Sequence, residues 1–392
     1  MRIKSAIREI TLGKVFLAII FLAGIVATIQ RFFFGLGSAT NLSDAFPWGI
    51  WIGFDVLCGV GLAAGGFVIA GIVYIFNVKS FQPVVKPAVL TAFLGYLLVI
   101  VALLYDLGKP YNIWHPLIMW NPHSVMFEVG WCVMCYTTVL FLEFLPNIFQ
   151  KLKFDKGYRI LKQVTVILVI FGVLFSTLHQ SSLGSLFLIV PEKLHPLWYS
   201  PLLPVYFFIS AVAVGFAMVL FESYLSSRSF GKHLTPKLSS TLARCIVFVL
   251  SLYLVIKMID FNRHQLWGEL FTGSTESYFF WTEIGLGVIA PILLLSRKAI
   301  RTNETTLFWS TILVILGFIF NRLNVSITAM EAYAKVNYFP SWQEISVSIF
   351  LVTLGFLAFK WVAKNLPIFE EEHHLPVLNE TIPVEILVDS KK

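Results

Sequence analysis

Two side chains of types that exchange protons stand where water is scarce. Asp55 is the one charged residue in PWGIWIGFDVLCGVGLAAGGFVIAG, Pro47 to Gly71, a stretch otherwise apolar or small. An acidic or basic side chain at the centre of a membrane helix costs on the order of 2.5–3.5 kcal/mol, so such residues usually face a bundle interior and often mark a pathway. No basic residue lies within one helical turn of Asp55. His179 sits in TLHQSSLGS among hydroxyls and small residues, and an imidazole titrates near neutral pH. A carboxylate and an imidazole in such surroundings are general acids for a ligand whose polar head takes up protons. Asp106 and Glu128 are second candidates for the same task. No nucleophile is required.

Other charged residues admit a structural reading. Asp106 and Asp260 stand at the ends of apolar runs near Lys109 and Arg263, as boundary carboxylates do. Lys257 and Asp260 are three residues apart on one helix face and are expected to pair. Arg322 is expected to neutralise Glu283. Glu143 and Glu222 lie toward the opposite ends of their runs, either as a proton route or as interfacial carboxylates facing basic loops. No metal site is expected. Cys132 and Cys135 form a CxxC, but two mid-helix thiols do not complete a four-ligand zinc or iron-sulfur site. The cluster EEEHH, Glu370 to His374, reads as part of a solvated tail.

The elements that position these residues follow from composition. The 392 residues are 57% hydrophobic and 13% charged, against roughly 45–50% and about 25% in soluble domains. Runs long enough to cross a bilayer number ten, near 14–34, 48–76, 84–107, 122–146, 159–179, 201–224, 239–261, 277–296, 306–330 and 342–363. The fold class is therefore an all-α integral membrane protein. Of the 29 Lys and Arg, 22 fall in the N-terminal segment, alternate loops and the C-terminal tail, and five in the opposite loops. The positive-inside rule puts both termini in the cytoplasm. The net charge of +7 thus reports topology and not a nucleic-acid partner. The first run is longer than the apolar segment of a signal peptide and is expected to be a retained anchor.

An internal repeat organises the runs. YDLGK at Asp106 to Lys109 and IDFNR at Asp260 to Arg263 are about 154 residues apart, and Glu128-Val129-Gly130 is echoed by Glu283-Ile284-Gly285. Leu178-His179-Gln180-Ser181 is echoed by Leu323-Asn324-Val325-Ser326. Runs two to five and six to nine then form two parallel-related four-helix bundles, flanked by runs one and ten. The expected divisions are an anchor helix and outer loop over 1–47, a first unit over 48–200, a second over 201–333, and a last helix and tail over 334–392. Gly59, Ala63 and Gly66 follow Asp55 on one helix face, a stripe that admits either a neighbouring helix or a flat ligand. Titratable groups toward the outer end of an aromatic-rich bundle suit the head of a quinone.

The phrases FPWGIWIGFD, GLAAGGF, LHQSSLGSL and HPLW followed by LLPVYFF resemble the HybB-type membrane subunits of periplasmic nickel-iron hydrogenases, within the NrfD/polysulfide-reductase membrane-subunit family. The resemblance covers nearly the whole chain. It implies two four-helix bundles and a quinone site near the periplasmic face, with menaquinone or ubiquinone as cofactor and no haem. It also implies docking to a periplasmic iron-sulfur subunit that relays electrons from the hydrogenase large subunit, in the bacterial inner membrane. Carried onto this chain, the quinone-site positions fall around Asp55 and His179. Three rival readings are a haem-b electron carrier, a secondary transporter, and the same role in another oxidoreductase of the family. Haem needs two facing histidines, and His179 is the one strong candidate within the membrane. A transporter places its charges near the midplane, whereas these residues lie toward the outer surface.

Overall fold

The computed structural model describes residues 11–334 and 336–369. The cluster at Glu370 to His374 lies outside them. Ten helices are long and apolar enough to span a membrane: α1 (Leu12–Phe34), α2 (Trp51–Ile75), α3 (Lys79–Asp106), α4 (Val125–Lys151), α5 (Asp155–Ile189), α6 (Leu203–Phe230), α7 (Pro236–His264), α8 (Thr275–Ser296), α9 (Glu304–Ala334) and α10 (Trp342–Asn365). No strand occurs among the described residues beyond one isolated bridge, Ser43 to Phe46. The protein is an all-α, multi-pass integral membrane protein. A bilayer offers backbone groups no water, so each crossing segment satisfies its own hydrogen bonds as a helix.

Sequence signals set several helix starts. Ser124, Thr235, Ser274 and Asn303 each accept a backbone N–H of the first turn that follows. Ser341 and Glu344 form a reciprocal capping box at α10. Several helices run past the apolar stretches. The fifth continues to Ile189, well beyond the expected end near 179, so His179 is carried about 15 Å inside the helix end at 1.5 Å per residue.

Small residues decide the packing. α2 and α6 are the most buried helices and meet backbone to backbone, where a Cβ on Gly215 would stand 3.0 Å from the nitrogen of Gly65. α3 closes on α2 along the Asp55 face: a Cβ on Gly59 would meet Val99 at 2.8 Å and one on Gly66 would meet Ala92 at 2.5 Å. The small-residue stripe is thus filled by a neighbouring helix and leaves no slot for a flat ligand. α3, α4 and α5 follow α2 in sequential contact, α7 and α9 pack on α6 while α8 packs on α7 and α9, and α1 pairs with α10 against α3.

Two helices widen locally into π turns that touch each other. In α2 the turn spans Trp51–Val56 and contains Asp55, and in α9 it spans Asn324–Thr328. They meet where Gly53 faces Ser326, whose Oγ would be 2.5 Å from an added Cβ. A π turn re-aims the side chains it carries and is frequent at functional sites.

Candidate functional site

The ionisable residues fall into separate groups with different chemistry. Asp55 is buried, at 8% exposure, and its Oδ2 accepts a hydrogen bond from Ser348 Oγ of α10 at 2.5 Å. Among the described residues no cation pairs with it. Ser348 lies one turn beyond Glu344, which is already saturated: Tyr338 Oη donates to Oε1 at 2.5 Å, and the Ser341 and Asn41 amides donate to Oε2 at 2.8 and 3.1 Å. Glu344 therefore ties the α10 entry to the loop before α2. That leaves Asp55 as the less constrained carboxylate of the pair.

Asp106 ends α3 and lies close to Arg31 of α1. The Arg31 guanidinium is buried and donates to the Tyr105 and Leu107 carbonyls at 2.5 and 2.6 Å. A cation there caps the negative end of the helix. Arg31 is thus a buried helix cap. Asp106 Oδ1 is buried without a hydrogen-bond partner.

His179 is fully buried between α3, α4 and α5. Its Nδ1 faces the Phe175 carbonyl at 2.8 Å, so Nδ1 carries the hydrogen and donates. Nε2 then holds the lone pair, and the Tyr96 hydroxyl donates to it. Beside this pair, Tyr136 Oη and Ser176 Oγ are buried without a partner of good hydrogen-bond geometry. Gln180 Nε2 donates to the Val60 carbonyl at 3.1 Å, fixing α5 to α2 one turn below Asp55. Glu128 accepts from Ser182 Oγ at 2.7 Å and so joins α4 to α5 above His179. Asp55 and His179 therefore share no hydrogen bond; they stand at different depths, one toward α10 and one toward α3 and α4.

Glu222 and Glu143 sit apart from each other. Glu222 Oε2 accepts from Thr91 Oγ1 of α3 at 2.5 Å, and Glu143 faces α5, where Gly172 leaves room for its carboxylate. Thr91 is five residues before Tyr96, about 7.5 Å along α3, so the Glu222 contact points along the helix toward the histidine pair.

The second unit is arranged otherwise. Glu283 accepts from Asn321 Nδ2 and Asn324 Nδ2 at 2.8 Å each and from Trp198 Nε1 at 2.9 Å, with Lys257 Nζ 3.9 Å away. Lys257 does not pair with Asp260; it turns toward Glu283 and lies over the rings of Phe280, Tyr206, Tyr253 and Phe261 at 5.0–6.0 Å. Asp260 instead faces His264, one turn on, at 3.5 Å. Arg322 does not reach Glu283 either. Its guanidinium lies over Phe207 and Phe318 at 3.7 and 4.3 Å and donates to the Phe207 carbonyl, Ser210 Oγ and Asn321 Oδ1. Asn321 bridges the two charges. A short aromatic and amide cage has replaced the expected direct ion pairs, because each charge here is buried and needs several donors or ring faces.

The model of the family described as "Polysulphide reductase, NrfD" matches residues 38–334. The chain belongs to the NrfD family. A protein of Nitratidesulfovibrio vulgaris is 42% identical over 373 residues, 92% of this chain and 95% of its own length. The "probable Ni/Fe-hydrogenase 2 b-type cytochrome subunit" of Escherichia coli is 34% identical over 349 residues, covering 87% of this chain and 88% of its own length. The "menaquinone reductase, integral membrane subunit" of Nitratidesulfovibrio vulgaris is 27% identical over 401 residues, 95% of each.

Two cofactors can be tested against this NrfD chain. A quinone head needs hydrogen-bonding and proton-donating groups in an apolar wall; the partnerless Tyr136 and Ser176 hydroxyls beside His179 fit that need, as, at separate places, do the free Oδ1 of Asp106 and the Ser348-bonded carboxyl of Asp55. A haem with two axial imidazoles finds a poor donor set. Both nitrogens of His179 are engaged, and the other described histidines, His115, His123, His195, His233 and His264, lie in connecting segments or at a helix end. Among the described residues no group of three or more His, Cys, Asp or Glu gathers to hold a metal ion, and Cys132 and Cys135 are free thiols. Tyr96, Ser348, Gln180, Arg31 and Glu344 escaped the sequence reading. Only Glu344 carries a legible signal, the Ser341-x-x-Glu344 capping box.

Proposed function

We propose that this chain is the quinone-reactive, haem-free membrane subunit of a hydrogenase-type respiratory complex. The observation that carries it is Asp55, a buried carboxylate whose partner is a neutral hydroxyl, in a chain alike over nearly its full length to a hydrogenase subunit and a menaquinone reductase subunit. A bound quinone supplies two-electron, two-proton chemistry. Asp55 delivers a proton from the α2 π turn, and Ser348 orients its carboxyl. His179 holds its Nε2 toward Tyr96, so that once Nε2 is protonated the imidazolium gives that proton to the tyrosine oxygen as the tyrosine hydroxyl gives its own to the quinone, and both side chains end neutral. Asp106 and Glu128 flank this region, and Glu222 and Glu143 supply protons from the lysine-rich face. Glu283, Arg322 and Asp260 are structural.

The two bundles over 48–200 and 201–333 are our division of the core, with α1 and α10 flanking it. The excess of Lys and Arg on one side supports cytoplasmic termini, and we take the chain to lie in a bacterial inner membrane. The lysine-poor face then meets a periplasmic iron-sulfur subunit, which links the quinone site to the large and small subunits of a nickel-iron hydrogenase. Purification of the native complex tests the reading. The expected result is co-purified menaquinone or ubiquinone, an iron-sulfur and nickel-iron partner, and no reduced haem b band in the isolated subunit. Stoichiometric haem b, or a chain active alone as a transporter, overturns it.

A further inference from the structure

A groove opens between α2, α5, α6 and α7 in the half of the membrane that carries the lysine-rich loops. Its volume is about 650 Å³, and Phe67, Gly71, Val173 and Val212 line it together with Thr241 and Arg244. One wall is the second π turn of α2, Gly71–Ile75, where Gly71 lets α5 close to 3.2 Å from an added Cβ. The volume lies within the roughly 300–1,000 Å³ of sites that hold small ligands. The groove is apolar along its length, and its one charge is Arg244.

Arg244 is the anomaly. α7 has 29 residues, about 43 Å at 1.5 Å per residue, against a hydrocarbon core of about 30 Å. With the helix centred, its overhang is about 6–7 Å at each end, and Arg244, eight residues past Pro236, has its Cα about 5–6 Å inside the hydrocarbon. The residue is exposed on the outer surface of the bundle. Its guanidinium donates to Thr241 Oγ1 at 3.3 Å, and that hydroxyl donates in turn to the Lys237 carbonyl at 2.9 Å. Among the described residues no carboxylate lies within ion-pair distance of it. A lipid-facing cation at this depth needs an anion or must reach out to the headgroups, and Thr241 holds this one at the mouth of the groove.

We propose that the groove binds one glycerophospholipid, with an acyl chain along Phe67 and Val212 and the phosphate on Arg244. The geometry matches that ligand end for end: a single cation at the interfacial mouth and apolar walls below it. The site is separate from Asp55 and His179 and does not depend on the quinone reading.

The test uses the detergent-purified complex, incubated with phosphatidylglycerol or with diacylglycerol of the same chains, and retained lipid is measured by mass spectrometry. Phosphatidylglycerol is expected to bind more tightly than diacylglycerol. Arg244→Gln should weaken phosphatidylglycerol about fivefold, which is ~1 kcal/mol, and leave diacylglycerol unchanged; Arg244→Lys should keep most of the preference. Val212→Trp, which fills the groove, should weaken both lipids. Equal binding of the two lipids by the wild type, or phosphatidylglycerol binding indifferent to Arg244→Gln, overturns the proposal. So does menaquinone binding that Val212→Trp abolishes and Arg244→Gln leaves intact, because the groove would then hold an isoprenoid tail. Arg244 faces lipid and contributes nothing to the core, so the Gln and Lys variants assemble even where the Trp variant fails.

Discussion

Replacing Asp55 by Asn separates its charge and proton from its hydrogen bond. In the wild type Ser348 Oγ donates to Oδ2 at 2.5 Å inside a site 8% exposed at Asp55 and 4% at Ser348. The amide oxygen of Asn can accept the same bond, so the fold loses little, within about 1 kcal/mol, the difference between a charged and a neutral acceptor. The lost function is larger. General acid catalysis contributes typically 10²–10⁴-fold, and an amide has no proton to give at working pH. Hydrogen-dependent quinone reduction by the assembled complex should therefore fall by about two orders of magnitude or more. Hydrogen oxidation with an artificial acceptor, which bypasses the membrane subunit, should stay near the wild-type rate. Ser348→Ala serves as the converse control. It leaves the carboxyl in place but removes a bond worth about 1.5–3 kcal/mol when the acceptor is charged, so it should lower thermal stability more than Asp55→Asn does while reducing turnover less. Wild-type quinone reduction in Asp55→Asn would refute the assignment. Loss of both activities together through failed assembly would equally make Asp55 a structural residue.

Glu283→Gln should fail differently: it leaves Lys257 buried without its counter-charge, a change that costs about 3–5 kcal/mol, so the yield and thermal stability of the purified complex should drop, and Lys257→Met in the same chain should restore part of the loss. Tyr96→Phe strips the donor from the buried His179 Nε2, which should cost about 1–3 kcal/mol of stability and slow quinone reduction while the artificial-acceptor rate holds. The double change of Glu143 and Glu222 to Gln, in liposomes, should reduce quinone turnover and proton uptake from the lysine-rich side; unchanged values on both measures remove the route. In the connection between α5 and α6, burial pushes the His195 imidazole below its ordinary value, against the opposing pull of Glu276 and Glu269. The unfolded chain then binds a proton that the fold resists, so stability should fall as pH drops from the ordinary histidine value of about 6.5 toward the lower folded one; thermal unfolding of His195→Asn should show a flatter dependence over that window.

The helical class and the ten crossings were legible because a bilayer leaves an apolar run few alternatives. Their ends were not, and the error mattered at His179: LHQSSLGS looks like a boundary because it is polar, but Ser182 folds its hydroxyl back to the Leu178 carbonyl and across to Glu128, so the helix continues. A hydroxyl that bonds within its own helix does not end it. Asp55 was correctly singled out as buried and without a cation, yet Ser348, 293 residues away, carries no mark in a stretch of ordinary apolar sequence. Lys257 and Asp260 share a face by spacing, and spacing alone proposed their pairing. The fold overrode it because Glu283 comes within 3.9 Å of the ammonium while Asp260 faces His264 instead. The stripe Gly59, Ala63, Gly66 named its role only as one of two options, and the choice required seeing α3 against it.

The contrast between the two halves of the core then has a physical form. Glu128 joins α4 to α5 through Ser182, and Glu283 joins α8 to α9 through Asn321 and Asn324, so each of these carboxylates lashes a helix hairpin together. Around Glu283, amides, an indole and a lysine complete the shell and leave the carboxylate fully partnered. Around Asp55 and His179 the partners are neutral hydroxyls of Ser348 and Tyr96, groups that can give up one hydrogen bond and make another without stranding a counter-ion. Proton exchange requires that freedom, since a buried carboxylate tied to a buried cation cannot change charge without exposing its partner to the full cost of desolvation. On the proposed reading, the second half serves as a rigid scaffold and the first holds the groups whose charge would change as a ligand takes up protons.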